Sequence, residues 1–226
     1  MDANGLLKYK VELKAILDVN NIDICLISET HFTNDTHMNM NKYNIFHTVH
    51  LSNNGRGGSA VIVKKSLSHS VEEKLRCSEF QATTIKIATK TQQISFTSVY
   101  SPPRHSISVE QYKDLIQKHK CKFIMGGDFN AKHTHWGSRL ITTKGQNLLK
   151  AAQATGCQFI SSGKPTYWPT DASKTPDLID FFVTNKIADS FTHVEDGLDL
   201  CSDHSPVYLT ITQMIIFKEP TASLPN

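Results

Sequence analysis

Apolar and polar positions alternate along this chain on two different periods. Leu6, Tyr9, Leu13, Ile16 and Leu17 recur at helical spacing with charges between them, which predicts a helix over 6–19 that breaks at Asn20-Asn21. Ser108-Val109-Glu110-Gln111 has the spelling of a capping box, and Val109, Tyr112, Leu115 and Ile116 mark the buried face of a second helix. A third is predicted over 144–155, with Gly156 at its C-cap. Between these lie short apolar runs that read as strands. They are 22–27, 59–63 after the Gly55-Arg56-Gly57-Gly58 turn, the neighbouring 82–88 and 93–100, 122–125, 157–160, and 207–211. Residues 165–169 and 177–183 read as two strand arms joined by a polar loop. Strands outnumber helices and come in runs, a pattern that fits an α+β fold but does not fix its topology.

The chemistry-bearing residues stand at the ends of these runs. Lys122-Phe123-Ile124-Met125 is a buried strand that Gly126-Gly127 is expected to end abruptly, and Asp128 and Asn130 follow. Two positions apart on an extended backbone, they would point to the same side, an acid beside an amide that can orient what the acid holds. Glu29 follows the 22–27 run, and a carboxylate at a strand end suits a hard cation. Tyr100 ends a strand that Pro102-Pro103 stops. Asp180 lies between Ile179 and Phe181, and a buried acid wants a partner, for which His204 in Ser202-Asp203-His204-Ser205-Pro206 is the choice. Taken singly, each has a bland explanation: a turn, a solvated acid, a packed tyrosine. Gly-x-Gly-Gly with no helix after it is a structural turn, not a phosphate loop. His133 and His135 lack the further ligands a transition-metal site needs. Tyr167, Trp168 and Lys174 on the 165–183 hairpin are placed to probe a nucleic-acid groove.

Composition narrows the field only a little. The 226 residues are 39% apolar and 20% charged, which suits one soluble globular domain over 1–212 with a tail or linker over 213–226. No run is long enough to span a bilayer and no signal peptide opens the chain, so no membrane partner is expected. Five cysteines without Cys-x-x-Cys argue against a disulfide framework or thiolate zinc site and for an intracellular setting. A net charge of +3 permits an anionic partner without demanding one.

In order, Ser28-Glu29-Thr30-His31-Phe32, Val99-Tyr100-Ser101-Pro102-Pro103, Gly126-Gly127-Asp128-Phe129-Asn130-Ala131-Lys132-His133, Leu178-Ile179-Asp180-Phe181-Phe182 and Ser202-Asp203-His204-Ser205-Pro206-Val207 form a set. The set resembles the endonuclease/exonuclease/phosphatase superfamily, and within it the apurinic-endonuclease-like domain of jockey-type non-LTR retrotransposons. The resemblance covers residues 1 to about 212. It implies a two-sheet β-sandwich flanked by helices, four layers in all, with the site at one end. It also implies magnesium-dependent nicking of one strand of duplex DNA, with manganese as a substitute. The 3′-hydroxyl so exposed would prime reverse transcription by a reverse transcriptase domain absent from these residues. Nuclear action follows from the substrate, although no basic import signal stands out.

Carried over by motif, Glu29 would hold the metal with Asn4 and Asp203, and Asp128 would orient or deprotonate the attacking water with Asn130. His204, held by Asp180, would stabilise charge on the phosphate, Asp203 would also support the site, and Tyr100 would hydrogen-bond the phosphate. Two departures from the pattern stand out. The chain opens at Met1-Asp2-Ala3-Asn4-Gly5-Leu6, so the family's first strand is expected to be missing or nearly so. Asp2 also stands where the family carries asparagine, and Asn4 where cellular repair enzymes carry an acid. The alternatives are a catalytically silent retroelement remnant, or a phosphatase or phosphodiesterase of the same superfamily.

Overall fold

The computed structural model describes residues 3–72, 74–90, 92–171, 173–185, 187, 192–197 and 202–212. The expected tail over 213–226 and Asp2 lie outside them. A 3-10 turn over Leu6–Tyr9 runs into α1, Lys10–Val19. Four strands follow: β1 Ile24–Ser28, β2 Tyr43–Thr48, β3 Ser59–Lys64 and β4 His69–Val71. Next come β5 Leu75–Arg76, β6 Gln81–Ala88, β7 Gln93–Tyr100, α2 Val109–Gln117 and β8 Lys122–Asp128. The rest are α3 Thr143–Thr155, β9 Gln158–Ile160, β10 Asp180–Asn185, β11 Thr192–Asp196 and β12 Val207–Ile211. No helix among the described residues is long and apolar enough to cross a membrane.

One sheet has the order β1-β3-β2, and a larger one the order β4-β6-β7-β8-β10-β9 with β5 also on β6. β11 and β12 form a separate pair. Among the described strands only β7 and β8 pair in parallel, and α2 supplies the crossover that a parallel pair requires. Strand periodicity then sorts the core into layers. Ile24 and Leu26 of β1 and Val61 and Val63 of β3 pack against Ile85, Ile87, Ile94, Phe96 and Ile124, which fills the space between the sheets. The alternate residues, Ile27, Ala60 and Ile62, face Leu6, Leu13 and Leu17 beneath α1. On the far side of the larger sheet, Val99, Phe123, Met125, Phe181 and Val183 meet Tyr112, Leu115 and Ile116 of α2 and Leu148 and Leu149 of α3. The result is a two-sheet sandwich with helices outside both sheets. Each fully buried Leu, Ile or Phe contributes about 1.5–3 kcal/mol to it.

The sequence expectations differ from this structure in a few places. Gly126 and Gly127 do not end a strand; both lie inside β8. They are there because neighbours occupy the side-chain space. Gly127 has φ +144°, and a Cβ on it would fall 2.1 Å from the Val99 carbonyl oxygen and 2.6 Å from Ser28 Oγ. β2, β4, β5 and β11 lie where the hydrophobic pattern signals no strand. The arm expected over 165–169 reduces to a single bridging residue, Tyr167, which pairs with both Asp177 and His204. At the chain start, Ala3, Gly5 and Leu6 donate backbone hydrogen bonds to Ser28, Glu29 and Thr30 at 2.9, 2.9 and 3.0 Å. These residues therefore run beside the end of β1 and in its direction, with Asn4 and Gly5 bent at φ 38° and 97°.

Candidate active site

The site follows from the strand register. Tyr100 is paired with Asp128 across β7 and β8, and Asp180 with Asp128 across β8 and β10. The three lie in one row at strand ends. They share parity with Phe96, Ile124 and Phe182, whose side chains face the other sheet, so all three project into the mouth of the sandwich. The opposite sheet contributes Ser28 and Glu29 from the end of β1. Ser28 Oγ accepts from the Asp128 N–H at 2.9 Å and donates to the Val99 carbonyl at 2.9 Å, which ties the two sheets together at the site.

Asp128 is 2% exposed. Its Oδ1 accepts from the Asn130 N–H at 2.6 Å and its Oδ2 from Asn130 Nδ2 at 2.5 Å. Asn130 has φ 45°, so a left-handed turn brings amide and acid together, and the expected extended alternation is not the cause. Burial pushes the Asp128 carboxyl up to about 8, with the Asp180 charge adding to it and the His204 charge and the Asn130 N–H opposing.

Asp180 Oδ2 lies 2.7 Å from His204 Nδ1, both residues buried. Burial alone would raise Asp180; the charge and hydrogen bond of His204 outweigh it and leave the carboxyl below its ordinary value. The Thr166 hydroxyl accepts from the N–H groups of Ile179 and Asp180, and its carbonyl accepts from Ser205 N–H at 2.8 Å, so one residue seats both partners. Tyr167 packs its ring 4.9 Å from that of His204. Trp168 is 46% exposed, with its indole N–H on Ser205 Oγ at 2.8 Å and its backbone N–H on the Asp203 carbonyl at 2.7 Å. Lys174 is exposed in the loop of the same hairpin, where its backbone N–H donates to the Asp171 carbonyl at 2.9 Å.

Glu29, at φ 50°, is half-buried and accepts from the Tyr100 hydroxyl. The Tyr100 hydroxyl thus stands on the Glu29 carboxylate at the mouth of the sandwich. His31 Nε2 stands 3.6 Å from the other Glu29 oxygen. Burial would raise Glu29, yet the hydrogen bonds from His31 and Tyr100 hold it below its ordinary value. Asn4 is exposed beside it, since Gly5 N–H donates to the Glu29 carbonyl, and Asp203 is half-buried next to His204. Among the described residues no group of three or more His, Cys, Asp or Glu is placed to hold a metal. The residue types expected as ligands, a carboxylate, an amide and a second acid, are oxygen donors of the kind that suits a hard divalent cation.

Several residues here were not foreseen. Ser28, His31, Thr166 and Ser101 act through hydrogen bonds to backbone or carboxylate that no spacing rule reveals. Lys144 is 8% exposed and donates to the Ser101 and Pro102 carbonyls at 3.2 and 2.8 Å. His133 and His135 stay apart from the row and pack on Trp136 and Phe159 instead.

A sandwich of this kind with acids, an amide and a histidine at one mouth is the architecture of nuclease-type phosphoester hydrolases. Among solved structures, the chain is similar to the endonuclease domain of TRAS1, a telomere-specific non-LTR retrotransposon. The TM-score is 0.74 at 21% identity, covering 89% of this chain and 91% of that one. It is also similar to the catalytic domain of Xenopus laevis APE2, with TM-score 0.72 at 17% identity over 97% and 92%. A family model described as "Endonuclease-reverse transcriptase" matches residues 94–208. The RNA-directed DNA polymerase from mobile element jockey of Drosophila funebris is 32% identical over 220 residues, 97% of this chain and 24% of the relative. Its Drosophila melanogaster counterpart is 32% identical over 219 residues, again 97% and 24%. The chain belongs to the endonuclease–reverse transcriptase family, as an apurinic-endonuclease-like domain of the non-LTR retrotransposon kind, and spans about a quarter of the length of the relatives it matches.

Proposed function

We propose that this domain is a magnesium-dependent endonuclease, with manganese able to substitute, that nicks one strand of duplex DNA and leaves a 3′-hydroxyl to prime reverse transcription. The reverse transcriptase of the same element would be its partner and the nucleus its place of action. The observation that carries this reading is the in-register row of Tyr100, Asp128 and Asp180, with His204 on Asp180 and Glu29 facing the row from the other sheet.

Phosphodiester hydrolysis needs a water aimed in line, a group to take its proton, and positive charge where the phosphate becomes more negative. Asp128 accepts the water's proton, and Asn130 fixes the carboxylate through its two N–H donors. Asp180 takes the Nδ1 proton of His204 as a hydrogen bond, which sets the tautomer or holds the imidazolium and turns Nε2 to the phosphate. Tyr100 and His31 orient Glu29, which would hold the cation with Asn4 and Asp203. That cation would neutralise charge on the phosphate and on the departing 3′-oxygen. The Tyr167–Trp168 edge and Lys174 would lie along the duplex.

The test is nicking of supercoiled plasmid in magnesium, beside His204→Ala and EDTA controls. Open circles from the parent alone are expected. A folded parent chain that leaves the plasmid closed would refute the reading, and release of inorganic phosphate from a small ester without nicking would favour a phosphatase.

A further inference from the structure

Thr142-Thr143-Lys144-Gly145 opens α3, and its spelling directs one buried cation. Thr142 caps the helix, its hydroxyl accepting from the Gly145 N–H at 3.1 Å. Its backbone N–H donates to the Lys132 carbonyl at 3.0 Å. Gly145 sits so close to Lys132 that a Cβ there would fall 1.9 Å from the same carbonyl oxygen. The helix thus begins hard against the loop that follows Asn130, and Lys144 is carried inward. Lysine is rarely buried without partners. Here the ammonium donates to two main-chain carbonyls, Ser101 and Pro102.

The Ser101 peptide is a junction. Its N–H donates to the Asp128 carbonyl at 3.0 Å, and its carbonyl accepts from Asn130 Nδ2 at 3.2 Å as well as from Lys144. The same Asn130 nitrogen reaches the Asp128 carboxylate. We infer that Lys144 is a positioning residue of the hydrolytic site: through Ser101 its ammonium fixes the Asn130 amide against Asp128 and brings positive charge to that carboxylate. This rests on the nuclease reading above. From other elements, the acids Asp180 and Glu29 oppose the ionisation of Asp128 and the His204 charge favours it, while the Tyr112 and Tyr167 phenols also feel its charge. Lys144 counters the two acids. Burial draws the Lys144 ammonium down to about 8, and the Asp128 charge works against that loss.

The test compares Lys144→Met, Lys144→Gln and Lys144→Arg with the parent chain by two independent measurements. In the first, the carboxyl carbon of Asp128 is followed by NMR through pH in EDTA. Loss of the ammonium is expected to raise its midpoint by about one pH unit in the Met and Gln variants, with Arg close to the parent. In the second, nicking kcat is expected to fall about tenfold or more in Met and Gln at unchanged KM, and Arg to recover much of it. An unmoved Asp128 midpoint in folded Lys144→Gln overturns the inference, even where melting temperature has fallen, because a merely structural lysine would behave that way. Gln keeps a donor for Ser101 and serves if Met does not fold. A parent chain that fails to nick defeats the nuclease reading, while the carboxyl titration still decides the role of Lys144.

Discussion

Replacing Asp128 by asparagine should favour the fold increasingly as pH rises, relative to the parent. The Asp128 carboxyl is raised in the folded chain from an ordinary 3.8 to about 8, first by burial and then by Asp180. An acid whose folded-state pKa lies above its unfolded value helps the fold only while protonated. Its contribution is intact below the unfolded pKa and is lost as pH rises through the folded one. Across that whole span the loss is about 5–6 kcal/mol. Between pH 5 and pH 9 the relevant interval runs from 5 to about 8, or about 4 kcal/mol, and sharing of charge with Asp180, His204 and Lys144 brings this to about 2–4 kcal/mol.

Asn at 128 escapes that loss. It pays a separate one that does not vary with pH: one of the two Asn130 donors, at 2.6 and 2.5 Å, would face an NH2 group in place of an oxygen, which costs about 1–3 kcal/mol. The informative quantity is therefore the slope of the difference, not its value at one pH. Urea unfolding of both proteins in EDTA at pH 5, 7 and 9, followed by circular dichroism, measures it. The difference, variant minus parent, is expected to grow by about 2–4 kcal/mol, which corresponds to about 5–10 °C in Tm for a domain of this size. A difference that stays constant across the range, or narrows, would refute the claim that Asp128 is a destabilising buried acid. Nicking is expected to vanish in the same variant, so the position would be held by its chemistry at a cost to the fold.

Three further outcomes follow from the same geometry. Gly127→Ala should cost about 3 kcal/mol or more, read as a drop in the urea midpoint, because its Cβ would fall 2.1 Å from the Val99 carbonyl oxygen at φ +144°. Asp180→Asn should behave with the opposite sign to Asp128→Asn. The depressed Asp180 carboxyl stabilises above its ordinary 3.8 and loses that as pH falls through its folded value, so the variant should be about 3–5 kcal/mol less stable at pH 7 and approach the parent as pH falls below 3.8. Lys174→Ala, exposed on the hairpin, should leave stability unchanged and reduce the salt dependence of duplex affinity by about one phosphate contact, measured as the slope of log affinity against log salt.

Much of this site can be read along the chain because strand ends announce themselves. Apolar runs stop at Tyr100, at Asp128 and before Glu29, and a strand that stops at a polar residue hands that residue to the end of the sheet. A buried carboxylate between Ile179 and Phe181 signals that Asp180 needs a donor, His204 is the one expected, and the structure joins the two at 2.7 Å. Elements whose stabilisation comes from elsewhere are silent. β2, Tyr-Asn-Ile-Phe-His-Thr, lacks clean alternation and is held by its full pairing with β3. Gly126 and Gly127 look like a stop because glycine punctuates turns locally, yet they lie in a strand for the sake of Phe182, Val99 and Ser28, far away in sequence.

The same distinction separates the side chains of the site. The acids and histidine proposed for the chemistry carry their signal in type and place, whereas Lys144, Ser101, Ser28 and Thr166 act through peptide groups, and a peptide group has the same spelling everywhere. Lys144 is the clearest case. On a helix first turn, lysine reads as a solvated charge, unfavourable against the positive end of the helix dipole. What turns it inward is a neighbour without a side chain, Gly145, and a contact between α3 and Lys132 that only the fold creates. A residue placed against local preference, at a helix end where its charge is unwelcome, is accounted for by what it reaches: here the Ser101 peptide that Asn130 also holds, one hydrogen bond from the acid on which the proposed hydrolysis turns.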